Sequence, residues 1–347
     1  MIRILHDYSL RACNTFGIDQ RCDELVEFAS TEEAVEASAY IREHHDRPLL
    51  LLGGGSNLLL TQDFHGIVVT PAPRFEVFVD TEDGLPVLRC WAGTTFDDAV
   101  AYAVEHDLHG MENLSLIPGQ CGASAVQNIG AYGAEAKDCL AWVEAVEIAT
   151  GQVVRIAAKD CGYGYRQSRF KHEWRDKYLI TWVCYKLSER FEPKLDYGNI
   201  LGVLREKNID AEKLTAAQLR QCIIGIRKAK LPDPAVLGNA GSFFMNPIVD
   251  ESTLRRLKEA HPQLRYFDAP DEQDGPKHYK IPAGWLIDQC GWKGKKLGRA
   301  GVYDKQALVL VNLGNATGMD IVRLMEAIQK DVESKYGLKL QPEVNIR

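Results

Sequence analysis

Apolar positions along the chain recur first at sheet spacing, then at helix spacing, and the alternation lays out its elements. The run ELVEF from residue 24 reads as a strand, and Ser30 to Glu33 reads as a capping box opening a helix with Ala34, Ala37 and Ile41 on one side. PLLLL predicts a second strand, followed by a glycine loop. GIVVT and RFEVFVD come next; Phe75, Val77 and Val79 alternate strictly, which predicts a strand with one wet face. A helix over 96–105 and a loop over 116–133 follow, then a hairpin of VEAVEIAT and VVRI turning at TGQ. YLITWVCYKL, ending near 187, predicts the last strand of this part.

The chain then turns polar, with SERFEP and LREKNIDAEK, which predicts a boundary near residue 190 and domains over 18–189 and 190–347. The second carries amphipathic helices at about 215–227 and 252–260. Its last helix, 319–335, has Ile321, Leu324, Met325, Ile328 and Val332 on one stripe, as core packing requires. Hairpins mixed with helices make the fold class α+β.

A length of 347 residues exceeds the roughly 100 to 200 of one domain, which agrees with two or three. With 41 basic against 48 acidic residues the net charge is −7, which disfavours nucleic acid as a partner. Nine cysteines without a C-x-x-C pair read as buried thiols of a reducing compartment, and the histidines lack metal-ligand spacing. Neither a signal-peptide core nor a run of about 18 apolar residues occurs, so the expectation is a soluble cytoplasmic protein off the membrane.

Three segments dense in small residues carry the candidate chemistry: LLGGGSNLLL (51–60), LIPGQCGASAVQNIGAYG (116–133) and GNAGSFFMNP (238–247). In the first, Leu58 stands where a dinucleotide fingerprint needs its last glycine, and a strand is expected to follow, so a Rossmann reading fails. Successive backbone N–H groups in a glycine turn still make an anion-binding concavity, and two such loops about sixty residues apart suit an extended diphosphate. In the third, small residues before Ser242 read either as a hairpin turn or as a backbone that lets a ligand approach. Phe244 occupies the position where a nucleophile elbow needs glycine; Ser242 can still meet a His base in space, or can act as a proton donor to a very basic carbon. Tyr165 and Arg166 lie in YGYRQSRFKH, read as an exposed basic loop. Arg227, Lys228 and Lys230 form a local positive patch before a proline turn, suited to phosphate. Trp285 and Leu286 face inward on a helix, and Glu343 in QPEVNIR reads as a solvated carboxylate on an edge strand.

Taken in order, NTFGI at 14–18, the two glycine loops, GNAGSFFMNP and PEV at 342–344 resemble the UDP-N-acetylenolpyruvoylglucosamine reductase family over nearly the whole chain. LDYGNI, with Tyr197, is similar to the longer subclass, in which a tyrosine loop closes over substrate. The resemblance implies an FAD domain of the vanillyl-alcohol-oxidase type followed by a substrate-binding domain. It implies reduction of UDP-N-acetylglucosamine enolpyruvate to UDP-N-acetylmuramate for peptidoglycan, with NADPH as co-substrate, by a protein expected to be a monomer. Catalytic roles fall on Arg166, Ser242 and Glu343. FAD contacts fall on Gly53, Gly54, Gly55, Ser56, Asn57, Pro118, Gly119, Ser124, Gly130 and Tyr132, and substrate contacts on Tyr165, Tyr197, Lys230, Asn246 and Gln289. Ala123 and Ala125 depart from the Ser, Gly or Pro frequent in the family, and Gln120 and Cys121 are unusual there. Cys121 is not where a covalent flavin link would be expected, so the FAD is expected to be dissociable. Two rivals share parts of the pattern: an alcohol or sugar oxidase of the same FAD superfamily, and a UDP-sugar binding protein without redox chemistry.

Overall fold

Strand Arg21–Phe28 forms where ELVEF alternates, its partners are Arg3–Ser9 and Phe64–Pro71, and Leu49–Leu51 on the far side of Phe64–Pro71 completes a four-stranded sheet. The last two run parallel to their neighbours, as the crossover helix Thr31–Glu43 demands. Ser30 caps that helix by accepting the Glu33 N–H at 3.2 Å, but the Glu33 carboxylate takes the N–H of Ala29 at 2.7 Å and not that of Ser30. The chain is described by a computed structural model over residues 1–269 and 277–347.

Two units emerge. The first comprises Met1–Ser9, Arg21–Gly55 and Asp63–Ala229; the second comprises Leu10–Gln20, Ser56–Gln62 and Lys230–Arg347.

A five-stranded antiparallel sheet dominates the first unit, in the spatial order Val153–Ala157, Leu140–Glu147, Tyr178–Lys186, Leu85–Trp91, Val77–Glu82. Alternation sends Val87, Trp91, Trp182 and Cys184 to the face packed with helix Thr31–Glu43. Leu88, Cys90, Val183 and Tyr185 go to the other, covered by helix Phe96–Glu105 and by Cys121–Gln127. Burial on both faces explains why YLITWVCYKL is nearly all apolar. Edge strand Val77–Glu82 departs from expectation: Phe75 precedes it, and Phe75, Phe78 and Val79 are all about half exposed, because an edge strand has a partner on one side only.

The segment 116–133 is not wholly loop. Gly122 lets helix Cys121–Gln127 sit on the sheet, since a Cβ there would meet the Ala92 Cβ at 3.0 Å. The helix expected at about 215–227 is present as Ala216–Lys230, but it packs with helix Ile200–Glu206 in the first unit. They share a core of Ile200, Leu204, Leu219 and Ile223, against which Tyr132, Phe191 and Leu195 pack. The compact units therefore divide at 229/230 and not near 190, because the polar stretch after 187 is followed by apolar positions that need a partner already present.

In the second unit, strands Asn239–Ser242, Val309–Asn312, Ala300–Val302 and Lys296–Leu297 form an antiparallel sheet. Helix Gly318–Tyr336 buries Ile321, Leu324, Met325, Ile328 and Val332, with a capping box from Thr317 and Asp320 at its start and Gly337 in the left-handed region, φ +68°, at its end. Leu58–Leu59 pairs in parallel with Asn345–Ile346, so a strand does follow the first glycine loop.

Among the described residues, no helix is long and apolar enough to cross a membrane, and no group of His, Cys, Asp or Glu is set to hold a metal. The nine cysteines are thiols, seven of them buried.

Candidate active site

Ser242 ends its strand at the surface, while the next two residues, Phe243 and Phe244, are 0% and 1% exposed. Their rings pack edge to face at 5.2 Å, and Phe243 meets Phe16 of the NTFGI segment at 6.3 Å. The turn before the serine is built on Asn239, whose buried amide accepts from Gly241 N–H at 2.9 Å and donates to the Leu237 carbonyl at 2.8 Å. Gly241 adopts φ +67°, a left-handed conformation that side chains rarely take, and a Cβ on Gly238 would run into the Phe16 carbonyl. Both glycines are thus required by geometry, and the aromatic pair anchors a serine held outward.

Glu343 lies beside this strand. Its N–H donates to the Phe243 carbonyl at 2.8 Å, and Met245 N–H donates to the Gln341 carbonyl at 2.9 Å. Asn57 fixes the same segment: its side-chain amide donates to the Glu343 carbonyl at 3.1 Å, and its own carbonyl accepts the backbone and side-chain N–H groups of Asn345, each at 3.1 Å. Glu343 is half-buried and not the open carboxylate expected. The clamping role of Asn57 had no signal in the sequence.

Both glycine turns come together within the first unit. A Cβ on Gly54 would stand 3.3 Å from the Cα of Gly119, and one on Gly53 would stand 3.3 Å from the Ala123 Cβ. Gly55 and Gly119 take φ values of +61° and +114°. Two backbones this close, with side chains absent where they meet, fit a group held through main-chain N–H donors, as a diphosphate is. Pro118 is exposed, whereas Ser124 is buried with its hydroxyl on the Cys121 carbonyl at 2.7 Å and the Tyr185 hydroxyl at 2.6 Å, so its side chain serves the core. Ser56 belongs to the second unit with Asn57.

Arg166 is a non-glycine residue at φ +57°, a sparsely populated conformation that clusters at functional positions. Its guanidinium donates to the Gly130 carbonyl at 2.8 Å and lies over the Tyr165 ring at 5.4 Å, while Lys171 Nζ donates to the Arg166 carbonyl at 2.9 Å. The basic segment is therefore tied down and not a loose exposed loop. Tyr197 is 51% exposed and packs where a Cβ on Gly133 would stand 3.0 Å from its own, and a Cβ on Gly198 would stand 3.5 Å from the Tyr132 ring. Asn113 holds both stretches, donating to the carbonyls of Tyr132 and Lys194 at 2.8 and 2.9 Å. Burial raises the Tyr132 hydroxyl pKa, an effect opposed by the nearby Arg227 cation.

Arg227 does not belong to an exposed patch. Its side chain turns inward, Nε donating to the Leu116 carbonyl at 3.2 Å, and burial lowers its pKa. Lys228 and Lys230, in the last turn of the same helix, are exposed. Asn246 accepts the N–H of Ala283 at 2.9 Å, anchoring the start of helix Ala283–Gln289, whose last residue, Gln289, is exposed.

Residues 23–157 match the family model described as FAD binding domain. Fold and glycine turns together define an FAD-dependent oxidoreductase of α+β architecture, its first unit of the vanillyl-alcohol-oxidase type. Residues 233–347 match the model for UDP-N-acetylenolpyruvoylglucosamine reductase, C-terminal domain. The chain is 46% identical to the UDP-N-acetylenolpyruvoylglucosamine reductase of Bacteroides fragilis, covering 97% of this chain and 98% of that one. It is 41% identical to that of Burkholderia pseudomallei, covering 99% and 96%. A crystal structure of UDP-N-acetylenolpyruvylglucosamine reductase from Thermus caldophilus shares the fold, with a TM-score of 0.67 at 24% identity over 100% of this chain and 98% of that one. The chain belongs to the UDP-N-acetylenolpyruvoylglucosamine reductase family.

Proposed function

We propose that this protein reduces UDP-N-acetylglucosamine enolpyruvate to UDP-N-acetylmuramate with NADPH, as a step in peptidoglycan precursor synthesis. FAD, when bound, supplies the hydride carrier between the nicotinamide and the enolpyruvyl double bond. Gly53, Gly54, Gly55 and Gly119 would hold its diphosphate through backbone N–H groups, with Ser56, Pro118, Gly130 and Tyr132 nearby in sequence.

Addition of hydride to the terminal vinyl carbon leaves an electron pair on the carbon next to the carboxylate, delocalised as an enolate. Arg166 pairs its planar fork with those oxygens, and Glu343 donates a hydrogen bond to them from its protonated form. Ser242 gives its hydroxyl proton to the carbon and recovers one from solvent. Lys230 and Asn246 bind the nucleotide diphosphate, with Tyr165, Tyr197 and Gln289 as further substrate contacts. The observation that supports this reading most is the register of Phe243 on Glu343, which holds the proposed proton donor and the proposed carboxyl on neighbouring backbones. Oxidation of NADPH that depends on the enolpyruvyl nucleotide tests it. A colourless protein, or oxygen uptake with a simple alcohol, would overturn it.

A further inference from the structure

Gln120 brings a polar side chain to the space where the two glycine turns meet, beside the methyl group of Ala123. A Cβ built on Gly53 would stand 3.4 Å from its Oε1, and one on Gly54 would stand 3.6 Å from its Cγ. That Oε1 is buried without a hydrogen-bond partner among the described residues. The last torsion of the carboxamide is soft, so the side chain can turn to present its –NH2 in place of that oxygen. In the observed orientation the buried oxygen carries the penalty of an unsatisfied polar atom. An anionic oxygen seated on the glycine turns removes it, because the –NH2 then faces that oxygen and the carbonyl turns outward.

We propose that Gln120 is a diphosphate-recognition residue, adding a side-chain N–H donor to the backbone donors of the two turns. This rests on the assignment of the FAD diphosphate to those turns. Backbone N–H groups cannot be altered by substitution, whereas a carboxamide can, so the contribution of residue 120 to FAD retention is open to a direct test.

The experiment titrates FAD, FMN and riboflavin against apoprotein by flavin fluorescence, for wild type, Gln120→Leu, Gln120→Thr and Gln120→Glu, and records the thermal midpoint of each apoprotein. Gln120→Leu removes the orphaned polar atom at similar volume. Its apoprotein is expected to melt at or above the wild-type temperature, while FAD binds about tenfold more weakly and riboflavin binding is unchanged. Gln120→Glu loses more, since it sets a negative charge beside the phosphates. Gln120→Thr serves if the leucine variant fails to fold.

An apo midpoint that falls in both the leucine and threonine variants would show a merely structural glutamine and overturn the proposal. So would FAD affinity within twofold of wild type, or an equal loss for riboflavin. Wild-type protein that binds riboflavin as tightly as FAD would instead overturn the assignment of the diphosphate to the glycine turns.

Discussion

Glu343 donates its backbone N–H to the carbonyl of Phe243 at 2.8 Å. The residue before Phe243 is Ser242, so one main-chain hydrogen bond sets the register between the two side chains on which the proposed protonation depends. That bond joins positions a hundred residues apart, and Asn57, from a third segment, secures the Glu343 carbonyl.

Ser242→Ala separates binding from chemistry. The variant is expected to keep NADPH-dependent bleaching of the flavin and to lose reoxidation by the enolpyruvyl nucleotide by about 10²- to 10⁴-fold, the usual contribution of a positioned proton donor. Stopped-flow absorbance of the two half-reactions measures this. An equal fall in both would make the serine structural.

Glu343→Gln retains a hydrogen-bond donor at the position, while Glu343→Ala retains nothing. The amide is expected to cost less in kcat for the nucleotide half-reaction. Equal losses would sink the role of a donating carboxyl.

Phe243→Ala tests the anchor. Removing a fully buried ring costs about 3–5 kcal/mol of stability, and the turn that carries Ser242 loses its fixed point. Denaturant melts should show that loss, with kcat falling further than FAD affinity.

Gly54→Val brings a branched side chain to a position where even a Cβ is 3.3 Å from Gly119 Cα. FAD affinity is expected to fall by more than about tenfold, or ~1.4 kcal/mol, with the apoprotein still folded by circular dichroism. Retained affinity would remove the glycine turns from the cofactor site.

Burial pushes the Cys139 thiol up to about 12 from its ordinary value of 9.0. The unfolded chain therefore releases the proton first as pH rises. Stability from this group is fully present below pH 9 and is lost progressively between 9 and 12. Urea unfolding at pH 8 and pH 10.5 should show wild type losing more stability between the two than Cys139→Ala; an equal loss would put the alkaline weakness elsewhere.

Local pattern was enough for much of this protein. Helix Phe96–Glu105, the hairpin of Leu140–Glu147 with Val153–Ala157 and the stripe of the C-terminal helix were legible because apolar spacing and turn residues act within a few positions. The small-residue segments pointed to sites for the same reason: glycine at a positive φ is a local demand, as Gly241 and Gly119 illustrate. Tertiary structure alone decided which segments meet. Nothing in the sequence between 190 and 229 says that its helices bury Leu204 and Ile223 against Tyr132, nor that Arg227 turns inward while Lys230 stays in water. The pairing of Glu343 with Phe243, the clamp from Asn57 and the buried oxygen of Gln120 are likewise long-range, since hydrogen bonds and packing join groups by distance in space and leave no periodic trace along the chain.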